Sequence, residues 1–148
     1  MPAYFFDSSA WAKHYVAEPG TLAVDHLLVS PGSHLVARLA LVELPSAFAK
    51  KVRTGQMTLA GFTACVQGMR ADVLAGRVAV VQMTRRHHAW AARLIAIVGL
   101  RQNLRSLDSL QLAVALHLKI THPDLTLVSA DLSLLGIAAA QGLTTIHV

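Results

Sequence analysis

The sequence predicts an α/β fold, with a parallel sheet of about five strands covered by helices on both faces. Three observations predict it. Short apolar segments alternate with helical patterns from one end of the chain to the other. The strand-like segments do not alternate apolar with polar residues, as a sheet with one wet face would. Hydrophobic residues make up 54% of the 148 residues and charged residues 14%, a balance that fits a single domain with a buried core and excludes disorder and coiled coils.

Ala3 to Asp7 is the first strand, and Ser8 or Ser9 caps a helix running to about Val16. Glu18-Pro19-Gly20 breaks the chain. A second helix starts at Thr21 and ends at Pro31-Gly32. His34 to Ala37 is a short second strand. A helix follows from about Ala40 to Thr54, with Pro45 near its start, where a missing N–H costs little. Met57 to Leu74 is another helix, closed by Gly76, so that residues of about 40–76 form a helical hairpin inserted between strands of one domain, 1–148. Val78 to Val81 is the third strand. Thr84 to Val98 is helical, Leu100 to Arg105 is a polar and basic loop, and Leu107 to Leu118 is a strongly apolar helix. Leu125 to Ser129 is the fourth strand, Leu132 to Gln141 a helix of small residues, and Thr144 to His147 the fifth strand.

Four of the eight acids adjoin apolar segments: Asp7, Glu43, Asp108 and Asp131. Asp7 ends the first strand and Asp131 follows the fourth. Open α/β sheets bind ligands at the carboxyl ends of their strands. Glu43 begins the helix after the second strand. Asp108 begins a helix that follows no strand directly, so its place at that edge is the least derivable of the four. Taken singly, each has a structural explanation, as a helix cap or as a first-turn acid facing a helix dipole. Taken together, buried anions repel one another unless a cation joins them. Magnesium and manganese prefer such oxygen donors, and phosphodiester hydrolysis uses them. The expectation is therefore one pocket that holds Mg²⁺ or Mn²⁺ against a nucleic-acid phosphate.

The charge balance agrees. With those acids sequestered, the other four face 13 Lys and Arg residues, and such a surface attracts polyanions. Arg101, Asn103 and Arg105, in the loop before Asp108, are candidate phosphate contacts. Lys13 and the Lys50-Lys51-Arg53 run would extend the basic surface, against the simpler account of a solvated helix face. His87 and His88 point in different directions on a helix, so they form no chelate and are expected at the surface. His14 is expected in the core or at the surface, and Trp11, Tyr15 and Trp90 in packing. The single cysteine, Cys65, fits a reducing compartment. No apolar run reaches a membrane span and the N-terminus lacks a signal-peptide pattern, so a cytoplasmic location is expected.

At these residues the chain resembles PIN-domain proteins, specifically VapC-type toxins of bacterial toxin–antitoxin pairs. Asp7-Ser8-Ser9-Ala10 with Lys13, Tyr15 and Glu18-Pro19-Gly20 is similar to that family's opening. Leu41 to Ala47, Leu107 to Ala113 and Val128 to Asp131 with Leu134 and Gly142 resemble its later blocks. One departure is Arg38-Leu39-Ala40, where the family often has a Ser or Thr to cap the helix of Glu43. The resemblance implies a three-layer α/β/α sandwich and a Mg²⁺- or Mn²⁺-dependent endoribonuclease. It places Asp7, Glu43, Asp108 and Asp131 in the metal pocket, with a hydroxyl of Ser9 or Ser129 assisting. It also implies an RNA substrate, a cognate antitoxin and a homodimer. The alternatives are a non-catalytic RNA- or partner-binding PIN-like module and a nuclease directed to DNA. A phosphatase with Asp7 as nucleophile would want a second Asp where Ser9 stands.

Overall fold

The computed structural model describes residues 1–148. Five parallel strands, β1 (Ala3–Phe6), β2 (Ser33–Ala37), β3 (Ala79–Val81), β4 (Leu125–Ser129) and β5 (Thr144–His147), form one sheet in the order β3-β2-β1-β4-β5. The central strand is therefore the first in sequence. The chain builds outward from it to β3, then crosses to its other side for β4 and β5. That reversal puts the topological switch point at the carboxyl ends of β1 and β4, which is where an open sheet leaves a crevice.

Seven helices cover the two faces: α1 (Ser8–Ala12), α2 (Thr21–Val29), α3 (Ala40–Arg53), α4 (Leu59–Leu74), α5 (Arg85–Ile97), α6 (Ser106–Thr121) and α7 (Leu132–Ala140). Successive side chains of a strand point to opposite faces. Ala3 and Phe5 accordingly pack with Leu125 and Leu127 beneath α5, α6 and α7, whereas Phe6 and Val128 pack beneath α1 to α4 around Trp11, Leu44 and Phe48. Phe5, Phe6, Trp11 and Phe48 are wholly buried. This is the expected three-layer sandwich with a parallel sheet.

Boundaries shift where tertiary contacts decide them. The first helix stops at Ala12 instead of Val16. From Lys13 to Tyr15 the backbone tightens into bonds to the residue three back. This aims the Tyr15 hydroxyl at Asp72 on α4. The helix of Asp108 runs on to Thr121, three residues past the expected end. A turn at Gly55, whose φ is +72°, connects α3 to α4, and Thr58 caps α4 through the Gly61 N–H. Gly20 adopts a φ of +98° against the chain's last residue, and a Cβ there would lie 2.5 Å from the Val148 carbonyl carbon. No helix is long and apolar enough to cross a membrane.

Candidate active site at the carboxyl edge of the sheet

Asp7 is the residue after β1. It is 5% exposed, and both carboxylate oxygens are engaged. Oδ1 accepts from the Ala10 N–H at 2.9 Å, which caps α1, and from the Ser9 hydroxyl at 2.8 Å. Oδ2 accepts from the Ser129 hydroxyl at 2.8 Å. Ser129 ends β4 beside Asp7, and its oxygen in turn accepts from the Asp131 N–H. The Ser9 oxygen accepts from the Ala130 N–H. Two hydroxyls thus tie the ends of the two central strands together around one carboxylate. Burial nevertheless pushes the Asp7 carboxyl up to about 6, against the lowering effect of those three hydrogen bonds, and the charge of Asp108 adds to the rise.

Asp131 caps α7 by accepting from the Ser133 and Leu134 N–H groups with Oδ1. Its Oδ2 lies 3.9 Å from the Arg105 guanidinium. Asp108 sits in the first turn of α6, where Oδ2 accepts from Arg105 Nε at 2.9 Å. Glu43 sits in the first turn of α3, whose cap position, Leu39, offers no side-chain cap. The missing Ser or Thr therefore leaves that helix end uncapped, and Glu43 is held from another direction. The buried Gln111, one turn after Asp108 on α6, donates to the Ser8 hydroxyl at 2.8 Å and to Glu43 at 3.5 Å. Burial raises the Glu43 carboxyl, and hydrogen bonds from Ser8 and Gln111 offset part of the rise.

The four acids therefore lie at one edge of the sheet, and three of them, Asp108, Asp131 and Glu43, face a single cation, Arg105. Its guanidinium is held above its ordinary range first by the hydrogen bond and charge of Asp108, then by the charges of Asp131 and Glu43. In this arrangement no three His, Cys, Asp or Glu side chains stand close enough to hold a metal ion. The donor set itself suits a hard divalent cation: four carboxylates, hydroxyls from Ser9 and Ser129, and the buried Gln111 Oε1, which has no hydrogen-bond partner.

Ser8 and Gln111 were not among the candidates on sequence grounds. Gln111 follows Asp108 by three residues, a spacing that puts both on one helix face, and that signal could have found it. Other candidates lie elsewhere. Arg101 and Asn103 are exposed and make no side-chain hydrogen bond or ion pair. The Lys13 ammonium donates to the carbonyls of Pro19 at 2.7 Å and Val148 at 2.8 Å. His14 bonds Asp25 at 2.5 Å, away from the four acids. The expectation for His87 is corrected. It is 2% exposed, its Nδ1 accepts from the Thr84 N–H that starts α5, and its Nε2 meets His117 Nδ1 at 2.6 Å. Because Nδ1 is the acceptor, Nε2 carries the proton and donates to His117. Burial lowers the His87 pKa, so the ring stays neutral as a structural cap. His88 is exposed, as expected.

Solved structures share this architecture over nearly the whole chain. VapC20 of Mycobacterium tuberculosis, described as a sarcin-ricin loop cleaving toxin, superposes with a TM-score of 0.67 at 16% identity, covering 98% of this chain and 99% of that one. VapBC-1 from nontypeable Haemophilus influenzae gives 0.63 at 14% identity over 98% and 97% of the two chains. This is the PIN-domain fold of VapC toxins. FitAcB from Neisseria gonorrhoeae has it too, at a TM-score of 0.66 and 13% identity over 97% and 96%. No family model matches the chain, and no curated protein does. In this fold, Asp7, Glu43, Asp108 and Asp131 all lie at the carboxyl edge of the sheet.

Proposed function

We propose that this chain is a VapC-type toxin, an endoribonuclease that depends on Mg²⁺ or Mn²⁺ and is restrained by a cognate antitoxin. The observation that carries this reading is the gathering of four remote carboxylates at the switch point, with Asp7 buried and held by two hydroxyls. Asp7, Asp108, Asp131 and Glu43 would hold the ion. When bound, a divalent cation supplies charge opposite the developing phosphate charge and lowers the pKa of water. The chain's own groups do the rest. Ser9 and Ser129 fix the orientation of the Asp7 carboxylate. Ser8 and Gln111 hold Glu43 at the rim. Burial raises the Glu43 carboxyl above its ordinary value, which favours its protonated form relative to an exposed carboxylate. Arg105, released from the acids, is free to face a phosphate bidentately. RNA is the substrate class, an antitoxin and a second copy of the chain are the partners, and the cytoplasm is the compartment.

Purified protein with Mg²⁺ or Mn²⁺ is expected to cut RNA and to leave DNA of the same sequence intact. EDTA should stop the reaction, and Asp108→Asn should do the same. Cleavage that persists in EDTA, or at full rate in the variant, would contradict the proposal. Arg105→Ala supplies a separate measurement. An exposed ion pair contributes about 0.2–1 kcal/mol, so removing the competing guanidinium should tighten Mn²⁺ binding by about 1.4- to 5-fold in a calorimetric titration. Arg101→Ala, remote from the acids, should leave that affinity as it was. Equal affinity in all three proteins would mean that Arg105 does not occupy the acids in solution.

A further inference from the structure

The acidic mouth opens on one side into a trough whose far end is basic. Glu43, Ser46, Lys50 and Arg53 recur at helical spacing along α3 and share one face of it. With Leu39, Val42 and Leu107 they line a cavity of about 400 Å³. A second cavity, of about 360 Å³, is lined by Glu43, Arg105, Ser106, Leu107 and Asp108. Glu43 and Leu107 line both, so the two cavities adjoin along the face that runs from Asp108 to Arg53. At 1.5 Å per helical residue, the α3 wall is roughly 15 Å long between Glu43 and Arg53.

Two features of this wall call for a ligand. Lys50 and Arg53 are exposed, and neither forms an ion pair. Their neighbour Lys51 differs, because it turns away from the trough to bond Glu18 at 2.5 Å. Beside the acids the wall carries exposed apolar side chains, with Val42 69% and Leu107 48% exposed, and Ser46 lies between Glu43 and Lys50. Cations at the last turn complement the helix dipole, but that role requires neither a trough nor exposed apolar side chains. A trough with carboxylates at one end repels a polyanion unless cations lie alongside. Exposed apolar side chains beside the acids suit the face of an unpaired base.

The geometry points to a binding track for single-stranded RNA along α3, in which Lys50 and Arg53 hold phosphates flanking the scissile bond while Val42 and Leu107 meet a base. The inference rests on the ribonuclease reading, and its test separates the two. Asp7→Asn protein, which binds without cutting, serves as the parent in fluorescence anisotropy with a short labelled RNA strand of mixed sequence. Phosphate contacts carry no sequence information, so such a strand is a sufficient probe. Adding Lys50→Gln and Arg53→Gln should weaken binding roughly tenfold. It should also reduce the slope of log affinity against log salt by about 1.4, the value for two single-strand phosphate contacts. Adding Lys51→Gln instead should change neither quantity. Parent-like affinity and slope in the double substitution would overturn the track and leave the ribonuclease reading standing. A parent that binds no RNA would overturn both. Lys50, Lys51 and Arg53 all lie on α3 outside the core, and melting unchanged from the Asp7→Asn parent confirms that the comparison is between folded proteins.

Discussion

Asp7→Asn is expected to abolish RNA cleavage while making the metal-free protein more stable at neutral pH. The two effects have one cause. Asp7 is ionised at pH 7 in a site that burial makes unfavourable for charge, which is why its carboxyl is pushed up to about 6 from an ordinary value of 3.8. The folded state therefore holds a proton on Asp7 more tightly than the unfolded chain does. Its contribution to stability is fully present below the unfolded pKa and is lost as pH rises through about 6. Two units correspond to about 3 kcal/mol at most, so the amide should recover roughly 1–3 kcal/mol at pH 7.5. It should also flatten the pH dependence of melting between pH 4 and 6, the window of the shift. The amide oxygen still accepts from the Ala10 N–H, and the amide nitrogen finds acceptors in Ser9 or Ser129. Adding Mg²⁺ should raise the melting temperature of the wild-type protein and leave the variant's unchanged. On activity, loss of a direct ligand should exceed the 10- to 100-fold typical of a group one shell further out. A variant that melts lower than wild type in EDTA would show that Asp7 carries no penalty. A variant that still cuts would show that the pocket is not the site.

The fold was legible because its strands are unbroken apolar runs punctuated by Gly, Pro and Ser, and such runs signal burial on both sides. Asp7 and Asp131 were legible for the same reason, since a carboxylate that ends a central parallel strand has only one edge to occupy. Both also cap helices, so the structural and chemical roles coincide in one residue. Asp108 was harder to place, although its position follows from a step available in the sequence. α6 leads into β4, and a helix that enters a parallel strand runs against it. It therefore begins near the carboxyl edge, where β4 ends. Three contacts were not legible: Gln111 with Ser8, His87 with His117, and Asp72 with Tyr15. Their partners lie 103, 30 and 57 residues apart. No local period or cap reports such pairs, which depend on how α4, α5 and α6 settle on the sheet.

Asp72 matters most among these for stability, and it shows that burial alone does not mark an active-site acid. It is 5% exposed, as deep as Asp7, but it lies beside the start of β3 and is neutralised by partners of the chain itself. Oδ1 takes Arg77 Nη2 at 2.5 Å and Nε at 2.7 Å. Oδ2 takes the Tyr15 hydroxyl at 2.6 Å and lies 3.4 Å from His14 Nε2. Burial, then the bond and charge of Asp72, push the Tyr15 hydroxyl up, so it remains a donor at every physiological pH. Through this residue α4 is fastened to the turn after α1. Breaking a buried ion pair on one side typically costs 3–5 kcal/mol. Arg77 is 61% exposed and can regain water, so Asp72→Ala should cost about 2–4 kcal/mol and lower the melting temperature by roughly 5–15 °C. Asp72→Asn keeps an acceptor for Tyr15 and should cost less. Neither variant touches the four acids, so cleavage per folded molecule should match wild type well below the melting temperature. A melting point within a degree or two of wild type for Asp72→Ala would mean that this cluster is not what holds the helical hairpin to the sheet.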